Sequence, residues 1–202
     1  MSHRVNGTTI FEDAETTDDA LAQVAMPAAI DQGNMGISLD GATNLISWGF
    51  SGCMGVTVIP PEGRPGGMIS HVHEGRYEAG NGNEYYREAV RLSIAEARSA
   101  LHADLLGIVL TNGEDGGVAA FAGLAEFVQA LPGVGSVLDL RPLKQQTGSA
   151  ILWDFPRHFV FCFKRVAFDY DEHLTDNPRF QHEIALAQKK AISRNMNCLH
   201  WQ

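Results

Sequence analysis

The chain has 202 residues, 45% of them hydrophobic and 19% charged, which suits one large globular domain, or one domain with an arm, able to bury a core without staples. Its net charge of -9 repels phosphate backbones, so the composition argues against a nucleic-acid partner and favours a basic protein. Cys53, Cys162 and Cys198 are odd in number, widely spaced and without a CxxC pair, which argues against a disulfide framework and a zinc finger; no apolar run has the length of a membrane span.

Residues 1–35 are acidic and Thr/Asp-rich and are expected as a poorly specified segment, with 36–202 as a single domain. The stretch "TTDDALAQVAMPAAI" has room for one or two helical turns before Pro27, and the polar, acidic start lacks the form of a Sec signal. "GISLDG" and "NLISWGF" alternate weakly and read as short strands. "CMGVTVI" is β-branched and apolar, a strand; "PPEGRPGG" is a loop, and "MISHVH" is the returning strand of a hairpin. A helix is expected over 84–102, with Tyr86, Val90, Ala97 and Leu101 as its apolar stripe. "LLGIVLTN" reads as a buried strand and "GEDGG" as a turn. A second helix is expected over 117–131, stopped by Pro132-Gly133. "GSVLDLRPL", "SAILWDF" and "RHFVFCFKRVAF" are strand candidates, and Asn177-Pro178 opens a last helix. This order predicts an α+β fold, a mixed sheet or β-sandwich flanked by helices.

The chemistry concentrates between Ser47 and Gly75, in "SWGFSGCMGVTVIPPEGRPGGMISHVHEG". Gly52 frees the backbone before Cys53, and the backbone N–H groups at Ser51 and Gly52 suit a thiolate or the oxyanion of a tetrahedral intermediate. On a strand, His71 and His73 share a face, and in a hairpin that face can be the one carrying Cys53, Gly55 and Thr57. A thiol beside an imidazole is a nucleophile with its base, and a third group normally orients the ring. The same residues permit plainer readings. A cysteine in an apolar strand is commonly a small core side chain, and HxH on a strand also suits a metal pair. Trp48 either floors a substrate groove or packs in the core. Glu74 either orients a histidine or is solvated. His158 and Cys162 are expected in a core strand, His102 compensates a helix C-terminus, and the polar groups of 111–117 form a turn at the rim.

"SWGFSGC" followed by "GGMISHVHEG" resembles the active-site hairpin of the Cys/His protein-glutamine deamidases, a superfamily that includes the chemoreceptor deamidase CheD, the catalytic domain of cytotoxic necrotizing factor and the Burkholderia lethal factor. The toxin members carry an "LSGC"-type turn where this chain has Phe50-Ser51-Gly52-Cys53. The CheD group has a Thr six residues before its Cys and "GGM" before its His; this chain has Ser47 six before Cys53, and Gly66-Gly67-Met68 before His71. Ser replaces Thr, and His71 falls one residue later than in the CheD pattern. The resemblance implies a layered sandwich fold, Cys53 as nucleophile, His71 as base with His73 as the competing candidate, and Ser47 as the orienting third residue. It implies deamidation of an exposed glutamine in a partner protein, without a cofactor; the scattered cysteines and the HxH pair make no closed metal set, and the acidic charge and the lack of a spanning run predict no nucleic-acid or membrane partner. The place would be a bacterial cytoplasm, or a host reached by a secreted or injected toxin without a Sec signal. The alternatives are another Cys/His hydrolase such as a thiol peptidase, a metal-binding protein using His71 and His73, and a non-catalytic interaction module.

Overall fold

A computed structural model describes residues 1–14, 27–50, 53–72, 82–112, 123–141, 150–163 and 192–195. It is a mixed α+β structure of two mixed six-stranded sheets with few helices. The first sheet has the order β1 (Ser2–Val5), β2 (Thr8–Ala14), β11 (Phe159–Phe163), β10 (Ala150–Asp154), β5 (Leu45–Trp48) and β3 (Ala28–Ala29). The second has the order β12 (Ile192–Asn195), β4 (Asn34–Ser38), β7 (Gly67–Val72), β6 (Met54–Ile59), β8 (Leu106–Asn112) and β9 (Val134–Asp139). The β11–β2, β3–β5 and β8–β9 pairs are parallel, the others antiparallel.

Strand alternation divides the apolar residues of the second sheet between two layers. Met54, Val56 and Val58 of β6, with Met68 and Val72 of β7, face α1 (Gly82–Leu101) and α2 (Leu124–Gln129). Tyr86, Val90 and Ala97 of α1 are buried in that layer, with Leu101 at its margin, as the helical stripe predicts. The opposite face, with Ile59, Ile69 and Val109, shares a buried layer with Ile10, Leu45, Ile151, Trp153, Val160 and Cys162 of the first sheet. This inter-sheet layer also holds Cys53.

The hairpin "CMGVTVI…MISHVH" forms as β6 and β7, paired antiparallel with Met54 opposite Val72 and Val58 opposite Met68. Two expectations need correction. The segment 1–35 is not poorly specified throughout: β1 and β2 form a hairpin with Val5 opposite Thr8, and Val5 and Ile10 are buried in the inter-sheet layer. Asn6 and Gly7 link them with φ of 46° and 79°, the paired positive values that a two-residue turn matched to strand twist requires. His158 does not lie in the core strand with Cys162; it sits with φ 54° in the turn between β10 and β11. The helix expected over 117–131 is described only over Leu124–Gln129. The turns before Pro27, the "GEDGG" turn and the helix after Asn177 lie outside the described residues.

Candidate active site

The site is built from both sheets. His71 stands near the end of β7 with its backbone opposite Gly55 of β6. Odd-numbered residues of β6 and β7 face the first sheet, so the imidazole enters the inter-sheet layer, where His71 is only 1% exposed. There it meets Ser47 of β5, also fully buried, with Oγ 3.0 Å from His71 Nδ1. A hydrogen bond between side chains of opposing sheets thus fixes the ring.

The hydroxyl geometry settles the tautomer. Ser47 has one hydroxyl proton and donates it to the Ile30 carbonyl at 2.7 Å. Its oxygen therefore accepts from His71, and Nδ1 carries the proton. The ring's lone pair is on Nε2, the nitrogen able to receive a proton. The same Ser47 contact persists when the ring is protonated, because Nδ1 donates in either state. Phe50 stacks on the imidazole at 4.0 Å between ring centroids, 25° from parallel. A β-carbon at position 55 would collide with Thr111 Oγ1 and Ile151 Cδ1 and lie 3.2 Å from Phe50 Cε1, so glycine there admits Phe50 to its place against the ring.

Cys53 immediately precedes β6, two residues before Gly55 and therefore on the strand face directed at the first sheet. Continued by one residue beyond Met54, the β6–β7 register sets Cys53 diagonal to His71 across the pair. The thiol is fully buried, and Gln32 Nε2 lies 2.9 Å from Sγ as a hydrogen-bond donor. Gln32 is placed by a tight turn. Asn34 N–H donates to the Asp31 carbonyl at 3.1 Å, and Gly33 has φ 77°, the position of a type II turn that demands glycine. Gly33 N–H donates in turn to the His71 carbonyl at 2.9 Å, which ties the turn to β7.

Ser47, Cys53 and His71 are thus brought to one end of the inter-sheet layer. Trp48 follows Ser47 on β5, so alternation directs it to the other face of the first sheet; half-buried, it does not floor the site. Ser51, Gly52, His73 and Glu74 lie outside the described residues, as does the proposed oxyanion position of the Ser51 and Gly52 backbone. Of the polar stretch at 111–117, Thr111 belongs to β8 and lies buried beside Gly55, where its Oγ1 is 3.4 Å from the Gly55 carbonyl. Among the described residues, no three His, Cys, Asp or Glu side chains gather as a metal set would, and no helix is long and apolar enough to cross a membrane.

The sequence reading did not single out Gln32, nor Phe50 and Ile30 as supports of the imidazole. "DQGN" carried a usable signal, since glycine third in a four-residue polar stretch marks a turn that holds its second residue outward. Nothing local in the sequence tells that this turn closes over Cys53.

Cys162 is the other described thiol in this layer. It is fully buried on β11, and burial, with the Glu12 carboxylate second, pushes its pKa up to about 12. No protein-family model and no curated protein matches the chain.

Proposed function

We propose that this chain is a cysteine-dependent protein-glutamine deamidase, with a layered sandwich of the deamidase kind. The observation that carries the reading is the buried Ser47–His71 hydrogen bond, made with the tautomer that leaves Nε2 as base, one strand position diagonal from Cys53. The glutamine specificity rests on the resemblance of Ser47–Gly75 to the deamidase hairpin.

In the proposed reaction, His71 Nε2 takes the Cys53 thiol proton and Sγ attacks the carboxamide carbon of a glutamine in a partner protein. The sequence assigns the oxyanion to backbone N–H groups at Ser51–Cys53. The tetrahedral intermediate breaks its C–N bond, the proton on His71 leaves with the nitrogen as ammonia, and a thioester remains. Water, deprotonated by His71, cleaves the thioester to glutamate and restores the thiol. Ser47 accepts from Nδ1–H throughout and holds the ring in register. No cofactor takes part. A buried Cys53 requires its cover to open for a partner's glutamine, and the Gln32 side chain is part of that cover.

The test is ammonia release from glutaminyl peptides by wild-type and Cys53→Ser chains. Loss of all Cys53-dependent release at an unchanged melting temperature is expected, since a serine beside one imidazole stays protonated near neutral pH. A Cys53→Ser chain that releases ammonia as fast as wild type contradicts the reading. If Cys53 were a plain core residue, the substitution would instead bury an unsatisfied hydroxyl and cost about 1–3 kcal/mol of stability.

A further inference from the structure

One atom in contact with the Cys53 thiol is itself a glutamine carboxamide nitrogen. Gln32 Nε2 is 2.9 Å from Sγ, and the carboxamide carbon lies one C–N bond of about 1.33 Å beyond it, hence within about 4.2 Å of sulfur. Near-attack separations are about 3–3.5 Å, so turning the carboxamide to present its face to sulfur and closing by up to about 1 Å converts this contact into a reactive one. The side chain is exposed and carried on a turn, so it has room to make that movement. The turn cannot drift far, because the Gly33 N–H to His71 carbonyl bond holds it beside the base.

We propose that the chain carries its own first substrate: Cys53 deamidates Gln32 in cis. The inference rests on the reading of Cys53 as a nucleophile. His71 Nε2 takes the thiol proton, and Sγ bonds to Gln32 Cδ. The Cδ–Nε2 bond breaks, and the nitrogen leaves as ammonia with the proton from His71. The product is an internal Cys53–Gln32 thioester. Water then adds to the acyl carbon, the thiol recovers its proton, and residue 32 is left as glutamate. Water is consumed and ammonia released, and no other reactant enters. A protein glutamine reaching the same thiol must first displace this side chain, so conversion in cis precedes turnover in trans.

The full-length chain, freshly purified and then incubated at neutral pH, is followed by intact mass and by peptide mapping of residue 32. Wild type is expected to show glutamate at 32, about 1 Da heavier, or the thioester, about 17 Da lighter by loss of ammonia and trapped by hydroxylamine as a hydroxamate at residue 32. Cys53→Ala is expected to keep Gln32. Because Gly33 follows, spontaneous cyclisation is the competing route, and equal conversion in wild type and Cys53→Ala overturns the proposal. Residue 32 remaining glutamine in wild type overturns it as well. His71→Gln, which keeps a polar side chain but removes the base, serves where Cys53→Ala does not fold, with circular dichroism as the check. Added glutaminyl peptides separate the two claims. Cys53-dependent ammonia release from peptide with Gln32 intact sinks the conversion in cis and leaves the deamidase reading standing; neither event sinks both.

Discussion

Two cysteines occupy the same buried layer between the sheets, and their surroundings differ in kind. Cys162 sits mid-strand on β11 between Phe161 and Phe163, with a pKa raised to about 12 by burial and by Glu12. Cys53 sits at the open end of β6, where the strand begins, with an amide donor on its sulfur and an imidazole one register step away. Both are fully buried, so exposure alone does not distinguish them. What distinguishes them is what each thiol faces. A carboxylate beside a thiol resists thiolate formation, whereas an N–H donor and a base favour it. Burial makes a cysteine inert only where its neighbours are apolar or negative.

The contrast can be broken first at Cys162. Its folded pKa of about 12 exceeds the ordinary value of 9.0, so the folded state holds the proton more tightly than the unfolded chain does. The stabilisation is complete below about pH 9 and is lost as pH rises from about 9 to about 12. The expected slope in that window is about 1.4 kcal/mol per pH unit from this group. Denaturant titrations of wild type and Cys162→Ala between pH 8 and about pH 11 measure it. The wild type is expected to lose stability more steeply, and parallel slopes would show that Cys162 does not titrate as its surroundings require.

A smaller effect is expected at Ser47, which sharpens the account of Cys53. Ser47→Ala leaves the Ile30 carbonyl and His71 Nδ1–H without their shared partner in a buried layer. The cost is about 1–3 kcal/mol in unfolding free energy, together with a lower rate of Cys53 alkylation because the ring loses its fixed tautomer. A stability loss with an unchanged alkylation rate would make Ser47 a structural staple between sheets and nothing more.

The hairpin of β6 and β7 was legible because its signals are local: β-branched apolar runs, a Pro/Gly loop, and period-two spacing that puts Gly55 and His71 on one face. The helix beginning near Asn83 was legible for the same reason, as its apolar stripe repeats at helical spacing. The N-terminal hairpin was misread because polar Thr, His and Arg outweighed a stronger cue, the Asn6-Gly7 pair between alternating residues. Within the site, the resemblance paired Ser47 with His71 by position, and the structure supplies the geometry, a contact across two sheets that no spacing rule contains. Gln32 was not legible as a site residue. Twenty-one positions separate it from Cys53, and only the tertiary closure of its turn onto β7 joins them.

The most direct test of the central claim is competitive alkylation of the two thiols in the native chain. Iodoacetamide is applied at pH 6 to 8, and Cys53 and Cys162 are quantified by peptide mass, in wild type and in His71→Ala. The account predicts that Cys53 is labelled at least about tenfold faster than Cys162, that its rate holds up below pH 8, and that His71→Ala removes this advantage. Equal labelling of both cysteines, limited only by global unfolding and indifferent to His71, would contradict the account.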